Sequence, residues 1–135
     1  MLKTGKPRTS KGLAVLCARA ADSKIAKDIL IADLTKIDVA ITDYFVICTA
    51  DSENQIAAIA EEIIDNCREL GLQKPKPEGY GSSQWTLLDF FDVVVHIMSP
   101  EARNYYQLEK VWADAAFYKI DETGKPVRFK ELQFY

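Results

Sequence analysis

The feature that most constrains this chain is a capped helix following directly on an apolar strand. Ser52-Glu53-Asn54-Gln55 has the spacing of a capping box. In that motif the serine oxygen and the glutamine side chain satisfy backbone N–H groups that a helix start leaves unpaired. Ile56, Ile59, Ala60, Ile63, Cys67 and Leu70 then recur at helical spacing, with Glu61, Glu62, Asp65, Arg68 and Glu69 on the opposite side. Gly71 stops the helix with a residue suited to positive φ. A helix with one apolar stripe must lie on something. Residues 44–49 (YFVICT), just ahead of it, and residues 28–34 (DILIADL) carry apolar side chains on both faces. Both therefore read as interior strands of a sheet rather than a half-exposed edge.

The remaining elements build around that core. Leu13, Leu16, Cys17 and Ala20 mark a first amphipathic helix over residues 10–22. Residues 35–42 turn the chain between the two strands. Residues 73–84 (QKPKPEGYGSSQ) are rich in proline, glycine and serine and read as a loop. Residues 85–90 and 92–98 form a β-hairpin turning near Asp89-Phe90-Phe91-Asp92. Ser99-Pro100-Glu101 opens a last helix, with serine at the cap and a carboxylate facing the positive dipole end. Tyr105, Leu108, Trp112 and Ala115 are expected along one face of it. The order α-β-β-α-β-β-α predicts an α/β fold, one mixed β-sheet with packed helices. At 135 residues there is room for one such domain and little for two. We divide the chain into a flexible N-terminus (1–9), the domain (10–116) and an aromatic C-terminal extension (117–135). In the extension, Asp121-Glu122-Thr123-Gly124 reads as a turn between two short apolar runs. Its five aromatics argue against full disorder, and for packing on the domain or on another chain.

Charge and cysteine usage limit the partners. A protein that grips nucleic acid through phosphates needs a basic surface, and the net charge here is −3. The basic spots at Lys3, Lys6, Arg8 and Lys11, and at Lys125, Arg128 and Lys130, read as solvated tails. No stretch approaches the ~18 uninterrupted apolar residues of a membrane span. The basic start is followed by an apolar stretch broken at Arg19 and Asp22, which fails as a secretory signal. A cytoplasmic protein is expected. Cys17, Cys48 and Cys67 lack C-x-x-C spacing and sit among apolar neighbours, so they read as buried free thiols.

Few residues suggest catalysis. His96 is the only histidine, within VVVHIM, where a metal site would require further convergent ligands. Tyr80-Gly81-Ser82-Ser83 followed by Asp89 and Asp92 has the look of a nucleotidyltransferase signature. Such enzymes hold metal with carboxylates that alternate along one strand. These two aspartates are instead spaced to flank a turn. There is no glycine-rich phosphate loop of the G-x-x-x-x-G-K kind. We expect no catalytic residue, metal or cofactor, and keep a nucleotide-handling enzyme with a degenerate site as the alternative. More informative are Trp85, Asp89, Phe90, Phe91 and Asp92, aromatics and carboxylates at one hairpin. An exposed apolar patch beside acidic groups suits a protein partner with a basic rim. Alternatively, Trp85 and Phe90 fill the core and only Phe91 is exposed; pattern alone leaves both readings open.

Several segments in order resemble the ribosomal silencing factor (Iojap-like) family. They are Ile41-Thr42 with Asp43-Tyr44-Phe45-Val46-Ile47, Gln55, Glu78-Gly79, Trp85-Thr86-Leu87-Leu88-Asp89 and Asp92-Val93-Val94-Val95-His96. Arg103, Tyr106-Gln107-Leu108-Glu109 and Val111-Trp112-Ala113-Asp114-Ala115 complete the set. The resemblance covers residues 10–116. It implies a nucleotidyltransferase-like topology without the catalytic groups. It also implies a homodimer that binds the large ribosomal subunit at its L-fourteen-type protein and blocks joining with the small subunit. On that basis Trp85, Asp89, Phe90, Phe91 and Asp92 are expected to contact the partner, with His96 and Tyr105 nearby. Phe91 stands where relatives commonly have glycine, so the hairpin turn is expected to differ. Thr49-Ala50-Asp51-Ser52-Glu53 replaces a Gly-Thr-Ser-like entry to the long helix, and no counterpart is evident beyond Ala116.

Overall fold

Seven short segments collect the β-branched and aromatic residues and pair into one mixed sheet. They are β1 (Lys27–Asp33), β2 (Tyr44–Thr49), β3 (Lys76–Glu78), β4 (Trp85–Asp89), β5 (Val93–Met98), β6 (Ala116–Ile120) and β7 (Pro126–Phe129). The computed structural model describes residues 5–79 and 84–130. The strand order is β3-β4-β5-β2-β1-β6-β7. Every pairing is antiparallel except β2 with β5, which runs parallel from Tyr44 opposite Val93 to Thr49 opposite Met98. β1 and β2 are thus interior strands. Among the described residues four helices complete the fold: α1 (Ser10–Ser23), α2 (Glu53–Glu69), α3 (Pro100–Tyr106) and α4 (Leu108–Val111).

Side chains alternate across a strand, so each face of the sheet has its own core. Helices α1 and α2 close one face. Leu16, Cys17 and Ala20 of α1 and Ile56, Ile59 and Ile63 of α2 meet Ile31, Val46, Cys48, Val95 and Ile97. The main core lies here, and full burial of each large aliphatic contributes about 1.5–3 kcal/mol. The other face carries two smaller clusters. One gathers Leu30, Leu34, Ala115 and Phe117; the other gathers Ile47, Met98 and Ala102. Between them this face stays partly open.

Local chemistry explains the helix ends. Ser52 Oγ accepts from the Gln55 N–H at 3.1 Å. Gln55 Oε1 accepts from Asp51 N–H at 2.7 Å, so the returning half of the capping box lands one residue before the cap. The same amide donates to the Lys24 and Ile25 carbonyls, tying the α2 start to the α1 end. Gly71, at φ +70°, ends α2 as expected.

Other expectations are corrected. The last helix is not continuous. Gln107 adopts a left-handed φ of 44° and separates α3 from α4. Arg103 spans the break. It bonds Glu109 across the bend at 2.6 Å, Thr49 Oγ1 at 2.9 Å and the Asp28 carbonyl at 2.8 Å. Leu108, Trp112 and Ala115 pack inward, whereas Tyr105 points to solvent with 79% of its surface exposed. The loop over residues 73–84 contains β3, an edge strand where Pro77 is tolerated because one side needs no ladder bonds. Gly79 follows at φ +68°, where a Cβ would lie 2.5 Å from the Trp85 carbonyl oxygen. The expected turn at residues 121–124 is present: β6 and β7, from the aromatic C-terminal stretch, form a hairpin that pairs with β1 and buries Phe117. Lys3, the Tyr80-Gly81-Ser82-Ser83 motif and residues 131–135 lie outside the described residues.

Candidate functional site: an aromatic groove on the open sheet face

The open face holds a groove of about 700 Å³. Its floor is built from outward-facing strand positions, Phe45 of β2, Leu87 of β4 and Val94 and His96 of β5. One wall is the connection over residues 35–42, with Val39, Ile41 and Thr42; Trp112 closes the end. Phe91 stands on the hairpin rim. Val39, Ile41 and Phe91 are 81%, 96% and 80% exposed, large apolar side chains that the core leaves unused. Glu78 and Asp89 are the charged lining residues; the lining contains no lysine or arginine.

A row of aromatic contacts crosses this face. Trp112 packs edge-on to Phe45 at 5.8 Å, Phe45 edge-on to His96 at 4.5 Å, and His96 lies 5.7 Å from Trp85. Trp85 then meets Tyr106 at 4.8 Å, and Tyr106 meets Tyr105 at 4.9 Å. Trp85 Nε1–H donates to His96 Nδ1 at 3.2 Å. Burial holds the imidazole well below its ordinary pKa, at about 4, so His96 is neutral at physiological pH.

The turn carries a strained residue. Phe91 adopts φ +75°, a region that costs a non-glycine residue roughly 1–2 kcal/mol. The expected change of turn is therefore corrected: the backbone keeps the left-handed step despite the phenylalanine. Three bonds hold it. Asp89 Oδ1 accepts from Phe91 N–H at 2.7 Å, Thr42 Oγ1 donates to the Phe91 carbonyl at 2.9 Å, and Phe90 N–H donates to the Val93 carbonyl at 2.8 Å.

The residues expected to form the site are thus divided. Trp85, Asp89 and His96 lie on the open face, with Phe91 at the rim and Asp92 exposed beside it. Phe90 is half-buried and packs behind the sheet against the α1–α2 core. Tyr105 is not among the groove-lining residues and adjoins this face through its ring contact with Tyr106. Val39, Ile41, Phe45 and Trp112 were missed as lining residues. The first two had a signal: apolar residues in a non-periodic connection, where solubility gives no reason for them. Phe45 and Trp112 had none, because strand and helix positions of that kind are ordinarily core. Asp89 acts as a turn acceptor, and among the described residues no group of three or more histidine, cysteine or acidic side chains is placed to hold a metal. Nor is any described helix long and apolar enough to cross a membrane.

Fold and groove together define a mixed α/β domain with one sheet face closed by helices and the other presenting an aromatic surface. The chain belongs to the ribosomal silencing factor family. The family model described as "Ribosomal silencing factor during starvation" matches residues 7–133, a span that includes β6 and β7. The ribosomal silencing factor of Bacillus subtilis is 43% identical over 111 residues, covering 82% of this chain and 93% of that protein. A mouse protein named for mitochondrial assembly of the ribosomal large subunit is 34% identical over 79 residues, covering 56% of this chain and 35% of its own length. A crystal structure from Chromobacterium violaceum matches with a TM-score of 0.73 at 31% identity, over 78% of this chain and 87% of that one.

Proposed function

We propose that this chain is a cytoplasmic translational repressor that binds the large ribosomal subunit and thereby blocks joining with the small subunit. The open groove is the docking surface, and the partner is a basic large-subunit protein of the L-fourteen type. One observation carries the reading: a 700 Å³ aromatic groove lined by Glu78 and Asp89 and rimmed by exposed Val39, Ile41 and Phe91. Apolar anchors in a groove whose charged lining is acidic are complementary to a basic protein surface. Membership of the silencing family supports a ribosomal target, and the mouse relative's name supports the large subunit. The mechanism is steric occlusion and makes or breaks no bond.

Phe91, Trp85, Asp89, Asp92 and His96 are the contact residues in this reading; Phe90 supports the hairpin from behind, and Tyr105 and Tyr106 extend the surface. A homodimer is part of the proposal, and sedimentation equilibrium at micromolar concentration is expected to return twice the chain mass. The primary experiment is sedimentation of the protein with isolated subunits, separately and mixed. Co-sedimentation with the large subunit and loss of joined ribosomes is the expected result. Failure to bind either subunit, or undiminished binding by a folded Phe91→Ala/Asp92→Lys variant, overturns the reading.

A further inference from the structure

One residue lining the groove, His96, carries a polar atom for which the described residues provide no partner. An indole N–H can only donate, so the bond from Trp85 requires His96 Nδ1 to be the unprotonated nitrogen. A neutral imidazole then carries its proton on Nε2. That atom is buried and has no hydrogen-bond partner among the described residues. His96 is 5% exposed and lines the groove. Folded proteins rarely leave such a donor unmade, because it has given up water and gained nothing.

The surroundings limit what can satisfy it. Glu78 and Asp89 line the same groove, while Lys74 and Lys76 lie beside Asp89 in a separate depression, so a carboxylate or phosphate within the groove meets acidic lining and is disfavoured. An ammonium or guanidinium suits the rim but has no lone pair to offer. What remains is an uncharged oxygen. The Nε2 atom is closed to water in the free chain, so contact requires the side chains over the imidazole to yield. Phe45, edge-on at 4.5 Å, lines the groove itself, and side-chain rearrangement of this size is common on association.

We propose that His96 Nε2–H is a specificity-determining donor, receiving a neutral oxygen acceptor, a hydroxyl or main-chain carbonyl, on an apolar segment of the basic protein partner. The inference rests on the ribosomal reading above and adds the chemistry of the inserted group. Trp85 is the positioning residue, since its N–H fixes the tautomer that makes His96 a donor.

The single histidine makes the test direct. Protein labelled with ¹⁵N at histidine is observed by NMR at neutral pH, free and with the isolated L-fourteen-type ribosomal protein. The free protein is expected to show a neutral imidazole protonated at Nε2. In the complex the Nε2–H proton is expected to move downfield as it gains an acceptor. His96→Phe is expected to bind ten- to a hundredfold more weakly, a buried acceptor now lacking its donor. A proton found on Nδ1 overturns the inference. So does a complex that forms without moving the Nε2–H signal, and there the ribosomal reading stands. Absence of any complex with the unmodified protein overturns both. The NMR readout keeps the test decisive if His96→Phe does not fold.

Discussion

The two faces of the sheet are made from the same strands and meet opposite demands. Behind the sheet, α1 and α2 bury a core of mainly aliphatic side chains, and Cys17, Cys48 and Cys67 are buried among them. On the open face the same strands present Phe45, Leu87, Val94 and His96 to a groove, with exposed apolar residues around it. The difference lies in satisfaction. The helix-covered face buries its side chains; among the described residues the open face keeps a strained Phe91 and a buried His96 Nε2 without a hydrogen-bond partner. Stability and recognition are thereby assigned to opposite sides of one sheet, and substitutions should separate them.

The largest effect is expected behind the sheet. Ile59 is fully buried, and Ile59→Ala removes methyl groups and leaves a cavity, costing about 2–5 kcal/mol. Urea denaturation should show that loss, while ribosome binding per folded molecule is unchanged. A binding defect equal to that of groove variants would erase the division between faces.

Next comes the pH response of the open face. Folding holds the His96 pKa at about 4, against an ordinary 6.5. Between those values the unfolded chain takes up a proton that the folded chain refuses. The His96 contribution to stability is therefore complete above the ordinary pKa and declines as pH falls toward the folded one. Roughly 2 kcal/mol should be lost from pH 7.5 to pH 5 on this account. Denaturation midpoints should fall accordingly, and His96→Leu should flatten the dependence over this range. An equal slope in the variant would assign the effect to other groups.

Phe91→Gly sharpens the contrast within one residue. Glycine adopts φ +75° freely, so the variant should be more stable by about 1 kcal/mol. Large-subunit binding should nevertheless weaken, because the exposed ring is gone. Gains in both stability and binding would remove Phe91 from the contact surface.

The smallest signal is expected from the thiols. Burial pushes Cys48 up to about 12, Cys67 up to about 11 and Cys17 well above its ordinary value. The thiolate is the reactive form, so a thiol reagent should find nothing to label quickly in the native protein and three groups after unfolding. Rapid native labelling would show that the helix-backed face opens.

The core was legible from the sequence because it obeys local periodicities. Ser52 and Gly71 bracket α2, and the all-apolar β2 requires cover on both sides. Edge elements were less legible. β3 is three residues around Pro77, and β6 and β7 follow a segment read as helical; such short strands are decided by the neighbour they pair with. The break at Gln107 was not legible either, because Arg103, which bonds Glu109 across the bend, is anchored by Thr49 and Asp28, contacts remote in sequence.

For the site, the sequence by itself determined that aromatics and carboxylates would gather at the β4–β5 hairpin, since that depends on neighbours along the chain. Only the tertiary structure decided which of them share a surface. Strand alternation sends Phe90 behind the sheet, and Leu87, Asp89 and His96 to the front. The fold then brings Val39, Ile41 and Trp112 around them from distant segments. A partner reads a face, and a face is set by pairing register and packing rather than by adjacency in the chain.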